Sequence, residues 1–474
     1  MSAEQSSGKA AGGQLEDRVD LSAETTEKIA QAKQLLSSGG SSSTSLQDAL
    51  ALLAALEKRC RVGNDTPSLL KVCEASLELC HDASDSEALL ATLKNLTTRR
   101  SQKSKAIASL VTKCLPWVVD VDADGYTPLP VAEDAAKARD ALVEELRSIT
   151  DGKMYLEAER ARLTRTVAIL KESAGDIAGA ANALQEVHVE TYGSISKKEK
   201  IEFILEQMRL TLQKKDYVRA YIVSNKIKKA QLEEEGMAEW KVKFYTLLTK
   251  HYKHEKEAFQ LAKCYHAIYS TASVQEEEQR WKEALTNTVV FLCLSEYSSE
   301  VKDMMERVNI DAKLEKIPEC KETLSCYLKD EIIHYPLPHQ TTLESITAFS
   351  DDGESDNDDD SGITLKEHWH TTFHTRIVQH NLRVASIYYR QIHTSRLATL
   401  LSLTAAETEK HISKMVSNGT LYAKIDRPKD TVRFTKKRCE EEVLSDWAAD
   451  IKTLLGLVEE TTYLIHKENM VHSH

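Results

Sequence analysis

His368 and His370 stand in an H-x-H step, and His374 follows His370 by one helical turn. Imidazoles so spaced could share a zinc ion. A zinc peptidase of the H-x-H type also needs a serine and an aspartate at fixed distances. The serine position is Val378, so the ligand set fails. No Glu stands between His370 and His374 in H-E-x-x-H order, and these histidines read as ordinary surface or core residues. DVDADG, Asp120 to Gly125, matches the first half of a calcium loop, but position twelve is Val131 where a bidentate Glu is required. Asp356, Asp358, Asp360 and Glu367 also fall at ligand positions, with Gly362 one place late. Both stretches read as solvated acidic loops. Neither G-x-x-x-x-G-K-[ST] nor G-x-G-x-x-G occurs, so no loop is built to cradle phosphates. The chemistry-bearing residues therefore predict no catalytic site, no metal and no cofactor.

The nine cysteines are odd in number, scattered and never spaced C-x-x-C, as expected for reduced thiols in the cytosol or nucleus. No apolar run approaches the roughly 20 residues of a membrane span, and the amino terminus lacks a secretory hydrophobic core. The net charge of -12 is uneven, because residues 351–360 hold seven acids and no base.

The elements around these residues are helical. Pro is rare at 8 and Gly modest at 16, while Ala, Leu, Glu and Lys recur at three- and four-residue steps. Residues 1–45, with the run SSGGSSSTS at 37–45, read as a flexible tail and linker. From 46 to 350 amphipathic runs alternate with short polar breaks. DIAGAANALQEV from Asp176, DYVRAYIVSNKI from Asp216 and EAFQLAKCYHAI from Glu257 superpose at steps of 40 and 41 residues, the period of a repeated helix hairpin. One hairpin cannot cover its own apolar face, so stacked neighbours must share a core. The fold class is mainly α: a solenoid of TPR-like helix hairpins, an acidic insertion at 351–367, a winged helix at 368–440 and a long terminal helix at 441–474.

The winged helix follows from element order. Phe373, Ile377, Asn381, Val384 and Tyr388 mark a helix ending near Ile392, Ser395 can cap a short second helix, and TAAE from Thr404 opens a third with a capping box. Leu421, Ala423 and Ile425 then alternate toward one face, and Val432 and Phe434 return across DRPKD as a β-hairpin wing. Residues 370–440 hold thirteen Lys or Arg against five Asp or Glu, so nucleic-acid binding has to be weighed. The third helix pairs Lys410 and Lys414 with Glu407 and Glu409 and has no Arg or Gln to read bases, which disfavours direct nucleic-acid contact. The wing instead predicts a lateral protein interface through unpaired strand edges, which Val432→Pro is expected to weaken.

In the terminal helix Leu444, Trp447, Ile451, Leu454, Val458, Thr461 and Ile465 step by alternating threes and fours, a heptad seam. Other helices must lie beside it, and a bundle with other subunits is the simplest source.

Solenoid, winged helix and terminal helix in this order resemble the PCI subunits of the proteasome lid, the COP9 signalosome and translation initiation factor three. RRSQKSKAI at 99–107, GKMYLEAERARLTRT at 152–166, VETYGSISKKEKIEFILEQMRL at 189–210, LYAKIDR at 421–427 and TTYLIHKENMVH at 461–472 bring the resemblance closest to the lid branch. The resemblance implies a hetero-oligomeric scaffold in which winged helices pack side by side and carboxy-terminal helices gather into one bundle. The implied partners are other PCI lid subunits, the lid deubiquitinase subunit, the ATPase ring and the core particle of the proteasome, with no nucleic acid and no membrane. A PCI scaffold of the signalosome or initiation factor, and a winged-helix nucleic-acid binder, are the alternatives.

Overall fold

The structure, a computed structural model, describes residues 21–38, 43–120, 127–128, 133–234, 236–337, 339–340, 343, 346, 349, 365–435 and 439–472. It divides into two compact units between Glu255 and Lys256.

The first unit runs α1 (Ser22–Ser38), α2 (Ser43–Val62), α3 (Thr66–Asp82), α4 (Ser86–Thr98), α5 (Ser104–Val118), α6 (Glu133–Thr150), α7 (Glu157–Ser173), α8 (Ile177–Gln185), α9 (Lys197–Gln213), α10 (Tyr217–Ser224) and α11 (Ala238–Glu255). Each helix packs on its chain neighbour, and α9 also packs on α11. The turns inside the pairs share a device. Gly175 and Lys215 are left-handed, at φ 85° and 64°, and each is followed by an aspartate whose carboxylate accepts a first-turn N–H: Asp176 from Gly179 and Asp216 from Arg219. A left-handed residue ends one helix and the acid caps the next, so the hairpin is locally encoded. Ser196 and Glu199 form a full capping box on α9.

The period holds. The first helices of successive pairs begin at Glu157, Lys197, Ala238 and Glu278, and the second helices at Ile177, Tyr217 and Ala258. Ion pairs at a constant offset of 37 residues tie the two helices together: Arg162 to Glu199 at 3.1 Å, Arg165 to Glu202 at 3.3 Å and Arg209 to Glu172 at 2.7 Å join α7 to α9. The motif at 99–107 is a structural fastener. Arg99 and Arg61 neutralise Glu57, whose side chain is 1% exposed, and Lys103 donates to the Asn64 carbonyl at 3.1 Å and the Thr66 hydroxyl at 2.9 Å. A buried carboxylate without these guanidinium partners would cost several kcal/mol, about 3 to 5.

The expected flexible stretch 1–45 is corrected in part. Residues 22–38 and 43–45 are helical, Leu21, Thr25 and Ala32 are buried, and the Leu21 N–H donates to Asp65 at 3.2 Å. The folded array starts by Leu21, because Leu21, Thr25, Ile29 and Ala32 fall on one helical face that small-residue composition disguised. Residues 1–20 and 39–42, most of the first Asp-rich loop (121–126) and the acidic tract 351–360 lie outside the described residues.

The second unit runs α12 (Ala258–Tyr269), α13 (Ala272–Glu276), α14 (Glu278–Leu294), α15 (Ser299–Ile310), α16 (Pro318–Leu328), α17 (Leu365–Tyr388), β1 (Gln391–His393), α18 (Thr394–Leu401), α19 (Ala405–Ser417), β2 (Lys424–Asp426), β3 (Thr431–Arg433) and α20 (Glu440–His472). At its centre, α14 packs against α12, α15, α16 and α17. Phe291 stacks on Tyr265 at 5.5 Å and meets the edge of Trp369 at 5.5 Å. The winged helix is thus fastened to the preceding helices through α17, whose amino-terminal half carries Trp369 and Phe373. Its carboxy-terminal half supplies Val378, Leu382 and Ala385 to a separate core with Leu397, Ile412 and Val432.

Two sequence expectations shift here. The helix through Phe373, Ile377 and Val384 stops at Tyr388, and Ile392 belongs to β1, which pairs with β3 at Val432. The cap position of α18 is His393, with Ser395 inside the first turn. The capping box of α19 is present: the Thr404 hydroxyl accepts from the Glu407 N–H at 3.3 Å, and the Glu407 carboxylate accepts from the Thr404 N–H at 3.1 Å.

Candidate assembly interface

Strand order is β1-β3-β2, all antiparallel, with Ile392, Val432 and Ile425 in one register and Gln391, Arg433 and Lys424 in the next. Alternation in a strand sends these two registers to opposite faces. Val432 and Phe434 are buried, and Leu421, Ala423 and Ile425 pack half-buried against the same core. The five wing residues singled out from the sequence therefore hold the wing onto the winged helix. They set the strands, and Tyr422, Lys424, Arg433 and Gln391 are exposed side chains of the sheet region.

β1 was not legible as a strand, and it changes which strands are edges. With β3 in the middle, β1 and β2 carry the unpaired backbone margins. Val432→Pro consequently removes a donor from the centre of the sheet and breaks the winged helix itself. Exposed Ile387, Tyr388 and Tyr389 lead into β1, so its edge has apolar and aromatic flanks.

The terminal helix α20 is 33 residues long, about 50 Å at 1.5 Å per residue, and none of its described residues is buried. Leu444, Trp447, Leu454, Val458 and Ile465 are 53 to 62% exposed and Ile451 is 39% exposed. Leu455, Leu457 and Leu464 are exposed beside them. The seam thus broadens in its second half to an arc wider than the two positions per heptad of a two-stranded coil. A helix of this kind buries its stripe only when more than one neighbour flanks it. It does not fold back on the winged helix among the described residues.

Catalytic chemistry can be tested at a cavity of about 80 Å³ lined in part by Cys293, Tyr297, Tyr327, His380 and Arg383. Burial pushes the Cys293 thiol far up, and burial with the adjacent Arg383 pulls His380 down to about 4. A thiol held protonated and an imidazole too weak to accept a proton, lining one cavity, are the opposite of an activated pair. Arg383 lies over the Tyr297 ring at 3.6 Å and donates to His380 Nδ1 at 3.1 Å, while His380 Nε2 donates to the Glu331 carbonyl at 3.2 Å. His368, His370 and His374 lie on α17 among aromatic rings: His370 by Phe349 at 6.3 Å and His374 by Tyr335 at 4.8 Å. Among the described residues no group of three or more His, Cys, Asp or Glu could hold a metal ion, and no helix is long and apolar enough to cross a membrane.

Three family models match the chain in order: "PSMD12/CSN4, N-terminal" over residues 48–277, "PCI domain" over 359–436 and "26S proteasome regulatory subunit RPN5 C-terminal domain" over 441–473. The chain is 34% identical over 456 residues to the 26S proteasome non-ATPase regulatory subunit 12 of Dictyostelium discoideum, covering 96% of this chain and 95% of that protein. It is 35% identical to homolog B of that subunit in Arabidopsis thaliana, covering 91% and 98%, and 32% identical to the 26S proteasome regulatory subunit RPN5 of Saccharomyces cerevisiae, covering 90% and 91%. The match to the last model falls on the exposed helix α20, and the match to the second on the winged helix. The chain belongs to the PCI-domain family of 26S proteasome non-ATPase regulatory subunit 12, or RPN5.

Proposed function

We propose that this chain is a non-catalytic scaffold subunit of the lid of the 26S proteasome regulatory particle, holding neighbours through its winged helix and α20. One observation carries the reading: an ordered 33-residue helix whose whole apolar stripe is bare in the isolated chain. Exposing so many large apolar side chains is unfavourable by about 25 cal/mol for each Å² left in water, so the helix is built to be covered by other subunits. The strand margins of β1 and β2 offer backbone pairing to lateral neighbours. The partners this implies are other PCI subunits, with the deubiquitinase subunit, the ATPase ring and the core particle in the same assembly. The cytosol and nucleus are the compartments in keeping with seven cysteines buried as thiols.

Affinity purification of the tagged chain from cell extract tests the assignment. Co-elution of ATPase and core-particle subunits is expected. Elution with signalosome or initiation-factor subunits alone refutes it, and duplex binding that weakens steeply with salt would favour the nucleic-acid reading.

A further inference from the structure

Helix α10 is apolar on two faces. Ala220, Val223, Ser224 and, just beyond the helix, Ile227 point inward and are buried. On the other side Val218, Tyr221 and Ile222, at i, i+3 and i+4, are 70%, 43% and 56% exposed. A helix in a repeat array needs only one apolar stripe to pack on its neighbours. The second stripe is therefore unexplained by the fold.

The repeat supplies an internal control. Aligning Asp176 with Asp216 puts Ala178, Ala181 and Asn182 of α8 at the positions of Val218, Tyr221 and Ile222. Aligning Glu257 puts Phe259, Ala262 and Lys263 there, and the Lys263 ammonium sits over the Phe259 ring at 4.0 Å. The repeat places small, polar or cation-covered side chains at these positions, with Ala181 and Ala262 buried. Three large bare apolar residues occur in α10 instead.

The segment that carries them is mostly basic. Residues 214–229 contain Lys214, Lys215, Arg219, Lys226, Lys228 and Lys229 against the single acid Asp216, in a chain of net charge -12. Arg219 is tied to Asp216 at 3.3 Å and Lys226 to Glu190 at 3.0 Å, while Lys228 and Lys229 are exposed at the carboxy-terminal end of the patch. Beneath it, Tyr217 stacks on His254 at 3.7 Å and Tyr221 on His251 at 5.3 Å, which fixes the rings without covering the outer stripe. An apolar centre holding a tyrosine, inside a rim of cations, is the composition of a protein contact with a buried anchor and a polar edge.

We infer that the outer face of α10 is a docking site for an amphipathic segment of a partner protein, with aliphatic residues on Val218, Tyr221 and Ile222 and acidic residues on the flanking lysines. This contact lies outside the winged helix and α20 and does not depend on them.

The test uses the full chain with Val218→Ala, Tyr221→Ala and Ile222→Asn, which transplants the face of α8. The probe is a labelled amphipathic helical peptide with leucines at i, i+3, i+4 and i+7 flanked by glutamates, and its lysine-flanked twin is the control. Fluorescence anisotropy should give saturable binding of the acidic peptide alone, at least about tenfold weaker in the triple variant. The thermal midpoint should fall only by what the lost stacking of Tyr221 on His251 contributes, since Val218 and Ile222 are solvent-facing. In the purified assembly a photo-cross-linker at position 222 should join one partner at a segment of net negative charge. Equal binding of both peptides, or equal binding by the variant, overturns the proposal. So does a cross-link to a basic segment, or to none. Self-association lost in the variant would give the face to a second copy of this chain, and binding of single-stranded nucleic acid at the patch would give it to phosphates. Either result also overturns it.

Discussion

Arg209 of α9 grips Glu172 of α7 with both ends of its guanidinium, Nη1 to Oε1 and Nη2 to Oε2 each at 2.7 Å, while its Nε donates to Glu206 at 2.8 Å. The two residues are 37 positions apart, three short of the 40-residue step, so the contact joins Glu172 to a residue about one helical turn before its own equivalent, Leu212. Both side chains are about a third exposed, and the two Arg209 bonds hold the Glu172 carboxyl below its usual range. A bidentate pair of this kind exceeds an ordinary surface ion pair. A double-mutant cycle of Glu172→Gln and Arg209→Met should return a coupling of about 1 kcal/mol in urea unfolding. The same cycle on the more exposed pair Lys197 and Glu234 should return roughly 0.3 kcal/mol or less.

Asn381 reads in sequence as one step of an apolar stripe, and the structure gives it a different task. Its Oδ1 accepts from the Ile333 N–H and its Nδ2 donates to the Ile333 carbonyl, both at 2.8 Å and buried. It thereby clamps the segment after α16 to α17. Asn381→Leu keeps the branched side-chain shape and orphans two backbone groups, so a loss of about 2 to 4 kcal/mol is expected. The urea midpoint of the whole chain, with limited proteolysis near residue 333, checks it. A loss within 0.5 kcal/mol, roughly the scatter of surface substitutions, would contradict the clamp.

His380 sets an acid limit on the same junction. Desolvation first, and the Arg383 charge second, lower its pKa from 6.5 to about 4. The unfolded chain takes up a proton near 6.5 that the folded chain refuses until about 4, so stability is intact above 6.5 and falls as pH drops between these values. The fall should reach about 3 kcal/mol at most. His380→Gln should flatten that part of the stability–pH curve relative to the parent chain, measured by urea titration from pH 7 to pH 4.5.

What the sequence disclosed followed from local rules. The repeat was legible because Asp176 and Asp216 recur as caps at a fixed step, and the third helix of the winged helix because Thr404 and Glu407 make a reciprocal cap. β1 was not legible, because three residues after a long helix carry no period, and Ile392 becomes a strand residue only through pairing with Val432. The wing residues were found without their direction: alternation tells which residues share a face, and the winged-helix core decides which face is inward. α20 was readable throughout, since a heptad seam needs no tertiary context.

The nine cysteines should divide sharply. Cys439, next to α20, is exposed and Cys326 half-buried, while the other seven are buried. Burial raises Cys73 and Cys114 to about 12. Only the thiolate reacts, so iodoacetamide at pH 7.5 should modify Cys439 first and leave those two untouched until unfolding. Mass spectrometry of timed digests reads the order.

The strongest contrast concerns α20. Ile451→Asp with Leu454→Asp places two carboxylates on the seam. In the isolated chain both side chains already face water, at 39% and 61% exposure, so the unfolding midpoint should move by less than about 0.5 kcal/mol. In the assembly the same carboxylates would be buried without partners, at a cost of several kcal/mol each. Incorporation should therefore fall by at least about a hundredfold, which corresponds to only 2.7 kcal/mol. Gel filtration after reconstitution with partner subunits, beside urea unfolding of the free chain, separates the two effects. Loss of both stability and incorporation would mean that α20 is covered by its own chain, and loss of neither would remove it from the interface.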